Sequence, residues 1–324
     1  MTRSKRFSAL SFFATLAVAA ALFSAVAGAL DWPTKAMEVV VPHNPGGEND
    51  LNMRRFAKYM EKELGQRIII VNMAGAGATI GMNNVKAAKP DGYKAVCFAS
   101  AGQVTEIIGM TNYTLTQAFD IAATHVIDKY NIFAAGANAP YNDMAELVKY
   151  AKEHPGEVSM GAEIGGFVHV TMLALADISG AEFNIVDAGT ASEKTTALLG
   201  GRLDVIGSQY GILQQYFKNG ELKCLGILSE ERQPGAEDVK TVKECGFDMV
   251  FERVFFVGFP KGTDPEIIGK FNAASKRVAE NPDYIAECKK NMTEAFYMTP
   301  AEATEYFEKA YDEYNKYRTL LRKK

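Results

Sequence analysis

The sequence has few of the residues that redox and metal proteins rely on. It contains four cysteines, Cys97, Cys224, Cys245 and Cys288, and four histidines, His43, His125, His154 and His169. The cysteines are widely spaced and form no Cys-x-x-Cys pair, so neither a thiol redox motif nor a metal site is indicated. A Gly-x-Ser-x-Gly motif and a Walker A lysine are both missing, which argues against an α/β-hydrolase and a P-loop NTPase. We therefore expect no metal, no cofactor and no catalytic residue.

The chain also has a small net charge and few long apolar runs. The formal net charge is −4 at pH 7, and removal of residues 1–29 would take away three cations and no acid. An acidic surface of this kind does not suit nucleic acid, so we expect no nucleic-acid partner. Only one run, Leu10 to Val26, approaches the length of a membrane span.

The N-terminus has the layout of a secretory signal. Arg3, Lys5 and Arg6 precede the apolar run, and the small residues from Ala25 to Ala29 follow it. We predict that residues 1–29 are a cleaved signal peptide and that the mature chain begins near Gly28 or Leu30. An uncleaved membrane anchor is the alternative. An exported chain meets oxidising conditions, in which its cysteines are either buried thiols or, for Cys224 and Cys245, a disulfide.

Two glycine loops each connect a strand-like run to a helical pattern. The first run, Val39 to Val41, leads into Pro45-Gly46-Gly47, and the second, Ile68 to Asn72, leads into Gly75-Ala76-Gly77-Ala78. Such loops leave bare backbone amides at a helix start, where an anion can bind. We expect one ligand to contact both loops.

Strand-like runs alternate with helical patterns along the whole chain, which indicates an α/β fold with largely parallel sheets. The runs lie near 37–42, 67–72, 93–98, 121–126, 130–135, 157–161, 182–187, 203–207, 222–228 and 253–259. Capping signals predict helix starts at Asp143, Asp264 and Thr299. The helix that begins at Thr299 is expected to extend to Leu321 and to have an aromatic packing face. Ligands in such sheets bind beyond the carboxyl ends of the strands.

Several motifs resemble those of the periplasmic solute-binding proteins of tripartite tricarboxylate transporters, also called the Bug family. They are Val41-Pro42-x-x-Pro45-Gly46-Gly47-x-x-Asp50, Asn72-x-x-Gly75-Ala76-Gly77, Pro90-Asp91-Gly92-Tyr93, Leu199-Gly200-Gly201-x-Leu203-Asp204 and Pro260-x-Gly262-Thr263. The resemblance implies a two-lobed periplasmic binding protein fold of type II, each lobe a mixed, mostly parallel sheet flanked by helices. It places lobe I at 30–125 and 254–324 and lobe II at 126–253.

The loops and the resemblance together predict the ligand-binding residues. In lobe I they are His43, Asn44, Gly46, Gly47, Asn49, Asp50, Ala76, Gly77, Ala78 and Ser100. In lobe II they are Glu163, Gly166, His169, Asp187, Ser208 and Gln209. Helix capping is the alternative role for Asp50, and a solvated loop position is the alternative for Glu163 and Asp187.

The resemblance implies an extracytoplasmic receptor that delivers a small organic carboxylate to the permease subunits of a tripartite tricarboxylate-type transporter. We expect a periplasmic monomer, with a ligand sensor for a signalling partner or a hydrolytic enzyme on the same fold as alternatives. Relative to the family, the chain gains Glu48, Glu163 and Asp187 and lacks an arginine and a lysine of the ligand loops. This charge balance predicts an amine-bearing carboxylate, whose cationic end is held by Glu163 or Asp187.

Overall fold

The computed structural model describes residues 30–322, so the predicted signal peptide lies outside the described residues. Its strands are β1 (Met37–Val41), β2 (Ile68–Asn72), β3 (Lys94–Ala99), β4 (Phe119–Asp128), β5 (Asn131–Gly136), β6 (Ser159–Ala162), β7 (Asn184–Asp187), β8 (Val205–Gln209), β9 (Leu222–Ile227), β10 (Arg253–Pro260) and β11 (Glu294–Ala295). The ten predicted strands are all present, and only the two-residue β11 was not predicted.

Twelve α-helices are described between and after these strands. They are α1 (Glu48–Leu64), α2 (Thr79–Lys86), α3 (Val104–Ile107), α4 (Leu115–Ala118), α5 (Met144–Glu153), α6 (Phe167–Ser179), α7 (Ala191–Leu199), α8 (Tyr210–Lys218), α9 (Pro265–Ala279), α10 (Pro282–Lys290), α11 (Pro300–Asn315) and α12 (Arg318–Leu321). The predicted caps are confirmed at Asp143, Asp264 and Thr299, and Thr299 forms a reciprocal capping box with Glu302. The C-terminal helix is interrupted after Asn315, before the single turn of α12.

The strands form two mixed sheets, as predicted, with four parallel and five antiparallel pairings where mostly parallel pairings were expected. The first sheet has the order β11-β4-β10-β3-β1-β2, and in it β10 and β11 run opposite to the other strands. The second has the order β7-β6-β8-β5-β9, and in it only β5 runs opposite among the described strands. We call the parts of the chain built on these sheets the first and second lobes.

The chain passes from the first sheet to the second at Lys129 and Tyr130 and returns between β9 and β10. Strand β4 pairs with β10 as far as Asp128, beyond the predicted limit of lobe I at residue 125. The residue limits of the two lobes remain a prediction. The crossings bring the end of β4 and the start of β10 beside the end of β8, where Asp128 contacts both Arg253 and Gln209.

The first lobe has one apolar core, the second lobe has two, and a fourth cluster joins the lobes. The core of the first lobe includes Phe255, Phe256 and Phe307, all fully buried. The joining cluster contains Ile107 of the first lobe, Phe167 of the second and Tyr314 of α11, whose ring stacks on Phe251 at 6.3 Å. The aromatic stripe of the C-terminal helix is therefore a packing face, as predicted.

The cysteines are all free thiols, so the alternative of a Cys224–Cys245 disulfide is wrong. Cys97 is buried within β3 and Cys224 lies in β9. Within residues 30–322, no helix combines the length and the apolar character that a membrane span requires.

Candidate functional site

A cleft of about 910 Å³ lies between the two lobes. Helices α1, α6, α7 and α8 all begin at this cleft, because Glu48, Phe167, Ala191 and Gln209 lie in its lining. The first amides of a helix have no intrahelical partner and carry partial positive charge. The cleft is therefore suited to bind an anion.

The first glycine loop is ordered by Asp50, which is 2% exposed. Its carboxylate accepts hydrogen bonds from the Gly46 amide at 2.9 Å and from Asn72 Nδ2 at 3.0 Å, and it forms a salt bridge with Arg54 at 2.9 Å. Burial acts against ionisation, but Arg54 and the Gly46 amide hold the pKa of Asp50 below its usual value. Asp50 thus ties the loop to the end of β2 and lies outside the cleft lining.

The second glycine loop has an unusual backbone. Ala76, Gly77 and Ala78 all have positive φ, at 46°, 57° and 74°. For a residue with a Cβ this conformation costs roughly 1–2 kcal/mol, and such strain is often found at ligand-binding loops. The Thr79 hydroxyl, which donates to the Ala76 carbonyl at 2.7 Å, helps to hold the turn. Only Gly77 of this loop reaches the cleft lining.

Arg253, the first residue of β10, is the centre of a buried charge cluster. One guanidinium nitrogen, Nη2, lies 2.7 Å from Glu48 Oε2 and 2.7 Å from Asp128 Oδ2, and the guanidinium lies over the Phe167 ring at 5.2 Å. Asp128 is fully buried and also accepts the Tyr130 amide at 2.8 Å. Although burial opposes it, the two carboxyl groups hold the pKa of Arg253 above its usual value.

Glu48 and Gln209 connect this cluster across the cleft. Gln209 Nε2 donates to Glu48 Oε1 and, at 2.9 Å, to Asp128 Oδ2. Burial raises the pKa of Glu48 to about 8; Arg253 acts against this rise and Asp128 adds to it. At neutral pH Glu48 therefore holds its proton, and Asp128 alone balances the charge of Arg253.

The second-lobe wall contains a buried cation, Lys194 of α7, which is 6% exposed. Its Nζ donates to the Gly207 carbonyl at 3.2 Å. Burial lowers the pKa of Lys194 to about 8, with Glu163 acting against the change and Arg253 adding to it. Glu163 is an exposed acid in the lining.

The structure brings only part of the predicted residue set into the cleft lining. The residues in the lining are His43, Gly46, Gly47, Asn49, Gly77, Glu163, Gly166, Ser208 and Gln209. The residues outside it are Asn44, Asp50, Ala76, Ala78, Ser100, His169 and Asp187.

Two of the residues outside the lining support the cleft from behind. The Ser100 hydroxyl accepts the Val254 amide at 3.3 Å and joins the end of β3 to β10. His169 Nδ1 accepts the Gly165 amide at 3.1 Å and holds the turn after β6.

Asp187 is exposed and borders a different pocket, beside Glu193 and Arg202. It ends β7, the outermost strand of the second sheet, so it lies farther from the crossing than β8 does. The structure thus places Asp187 outside the cleft and does not support the expected contact with the ligand.

The expected shortage of cations in the cleft is also corrected. The lining contains Arg55, Lys194, Arg253 and Lys290 against the acids Glu48 and Glu163. Burial and the nearby Arg253 lower the pKa of His43 to about 4, so His43 is neutral at pH 7. Two signals could have found the missed cations. Arg253 begins an otherwise apolar strand, and Lys194 lies four residues before the buried Leu198, on the same face of α7.

A family model described as "Tripartite tricarboxylate transporter family receptor" matches residues 52–324 of this chain. The "UPF0065 protein in gbd 5'region" of Cupriavidus necator is 29% identical over 300 residues, which are 90% of this chain and 89% of that protein. A TctC solute binding protein from Polaromonas is 28% identical with a TM-score of 0.74, over 88% of this chain and 98% of its own. A protein of R. palustris solved with adipate has a TM-score of 0.79 at 21% identity, over 90% and 98% of the two chains, which is a likeness of fold.

Proposed function

The chain belongs to the tripartite tricarboxylate transporter receptor family, and we propose that it is an extracytoplasmic receptor for a small organic carboxylate. The observation that carries this proposal is the convergence of four helix N-termini and four cationic side chains on one cleft between two lobes. Backbone amides at helix starts and nearby cations are the groups that hold carboxylates in proteins.

The charge balance of the cleft favours an anionic solute. With Glu48 protonated and Arg253 balanced by Asp128, the remaining charged groups of the lining are Lys194, Arg55 and Lys290 against Glu163 alone. An amine would meet this excess of cations at a cost, because a desolvated contact between like charges is unfavourable. We therefore propose a carboxylate without an amine, in place of the amine-bearing ligand that the sequence predicted. The adipate in the R. palustris protein of the same fold is a solute of this class.

We further propose that the protein is exported to the periplasm and delivers its solute to the permease subunits of a tripartite tricarboxylate-type transporter. Family and fold are those of solute-binding receptors. A sensor would use the same cleft and would differ only in its partner.

Native mass spectrometry of freshly purified protein tests the proposed solute class. We expect a non-covalent adduct of a small carboxylic acid, which disappears when the same sample is measured under denaturing conditions. A covalent adduct would favour an enzyme, and a retained amine without a carboxylate would contradict the proposed receptor.

A further inference from the structure

Lys194 is a buried cation without an acidic partner. Its Nζ uses one of three hydrogens, in the bond to the Gly207 carbonyl, and among residues 30–322 it forms no salt bridge. Burying an ammonium group without a paired anion is costly in free energy. A single hydrogen bond to a carbonyl contributes only about 1 kcal/mol, so a structural role does not account for the charge at this position.

A second unsatisfied donor lies one residue along β8 from the carbonyl that Lys194 binds. Ser208 follows Gly207 at the end of β8, and its buried hydroxyl has no hydrogen-bond partner among the described residues. Lys194 and Ser208 both line the cleft. An ammonium and a hydroxyl that both have free hydrogens form a suitable site for one carboxylate group.

The charged groups around Lys194 do not replace such a partner. Glu163, from the turn after β6, acts on Lys194 from beyond salt-bridge distance, and Arg253, from β10, repels it. The carboxyl groups of Glu48 and Asp128 are already bound to Arg253 and Gln209. The positive charge of Lys194 is therefore not neutralised by another group of the protein, and a bound anion can neutralise it.

We propose that Lys194, with Ser208 beside it, forms the ion pair with one carboxylate of the bound solute. The other end of the solute, also a carboxylate, is held by the start of α1 in the first lobe. The inference rests on the proposed function and specifies it: the solute is a dicarboxylate, and Lys194 determines the preference for a dicarboxylate over a monocarboxylate.

Calorimetry with adipate and hexanoate as probes tests this assignment, because the two molecules share a six-carbon chain and differ by one carboxylate. We expect the wild type to prefer adipate. Lys194→Met should weaken adipate binding by roughly ten- to a hundredfold and hexanoate binding much less, since a hydrogen-bonded charge pair is lost. The control Lys289→Met removes an exposed cation that lies outside the cleft lining and should change adipate affinity by less than about threefold.

Proton uptake gives a second readout that a structural lysine would not show. Near pH 8 part of the wild type has a neutral Lys194, so adipate binding should take up protons, measured as a dependence of the binding enthalpy on the buffer. Lys194→Met should take up fewer protons, because Lys194 no longer contributes while Glu48, whose pKa is also about 8, still does. Should Lys194→Met fail to fold, Ser208→Ala, which changes no charge, is expected to weaken adipate binding several-fold.

Two outcomes separate this inference from the proposed function. If the wild type binds adipate and both Lys194→Met and Ser208→Ala bind it equally well, the role of Lys194 is overturned and the receptor function stands. If the wild type binds neither probe and no carboxylate raises its melting temperature, the carboxylate receptor function is overturned together with the inference.

Discussion

Gln209 of the second lobe donates a hydrogen bond to Glu48 of the first lobe, directly across the cleft. The same amide nitrogen reaches Asp128, and both carboxyl groups contact Arg253. One amide nitrogen of the second lobe thus joins two carboxyl groups of the first lobe across the cleft.

Glu48→Gln should alter how stability depends on pH. Because the pKa of Glu48 is raised to about 8 in the folded protein, its contribution to stability is complete below its unfolded pKa of about 4.5 and is lost as the pH rises through 8. Glutamine mimics the protonated acid at every pH. We expect the variant and the wild type to have similar free energies of unfolding near pH 5. Towards pH 8 the free energy of unfolding of the variant should exceed that of the wild type by up to about 1.4 kcal/mol more for each pH unit.

Urea unfolding at several pH values measures this difference. The matched control is Glu163→Gln, which neutralises an exposed acid of the same cleft and should give a nearly constant difference. A constant difference for Glu48→Gln as well would mean that Glu48 is ionised at neutral pH.

Arg253→Met should destabilise the protein by about 3 kcal/mol, because it leaves the fully buried Asp128 without its cation. Adding Asp128→Asn should restore most of that loss, since the uncompensated carboxyl group is then removed. Arg232→Met, which breaks an exposed pair with Glu244, should cost less than about 1 kcal/mol. Equal losses for the two arginine variants, or no rescue by Asp128→Asn, would contradict the buried cluster.

Gly47→Val should abolish binding and leave the fold intact. Gly47 has φ −75°, which suits any residue, and an added Cβ would meet only the Asn44 carbonyl oxygen at 3.3 Å. The side chain would, however, stand where a ligand approaches the start of α1. Calorimetry with adipate and circular dichroism together test this expectation, with Gly136→Val outside the cleft as the control. Unchanged affinity in a folded Gly47→Val would remove the first loop from the site.

Valine at Gly77 is a poorer test of the second loop. Gly77 has φ +57°, and an added Cβ would lie 2.9 Å from Met110 Sδ. A loss of binding in Gly77→Val could therefore result from backbone strain or from the clash with Met110, and not only from a blocked ligand contact.

The strands could be predicted because each is an apolar run bounded by turn residues, and the glycine loops because they directly follow such runs. The strand β11 has two residues and no run, so its pairing with β4 depends on tertiary contacts alone. The capping residues Asp143, Asp264 and Thr299 act within one helical turn, which is why their signal is visible in the sequence.

The charge of the cleft could not be predicted from the sequences of the two glycine loops. Arg253 lies about 200 residues from Glu48 and meets it only because β10 returns to the crossing. Lys194 follows a helix start and resembles an ordinary solvated position unless its spacing to Leu198 is noticed. Asp187 lies outside the cleft because β7 is an edge strand of its sheet, and the sequence does not show which strands are at the edges. Local patterns thus located the loops, and the tertiary fold determined the electrostatics.

A thermal-shift screen of carboxylates against amines of similar size tests the central claim most directly, because a ligand that binds only the folded state stabilises it. At a hundredfold excess over its Kd, such a ligand adds about 2.7 kcal/mol to the free energy of unfolding. We predict that at least one di- or tricarboxylate raises the melting temperature and that amines without a carboxylate do not. A rise with such amines and none with any carboxylate would contradict a receptor whose cleft is lined by Lys194, Arg55 and Lys290 to hold an anion.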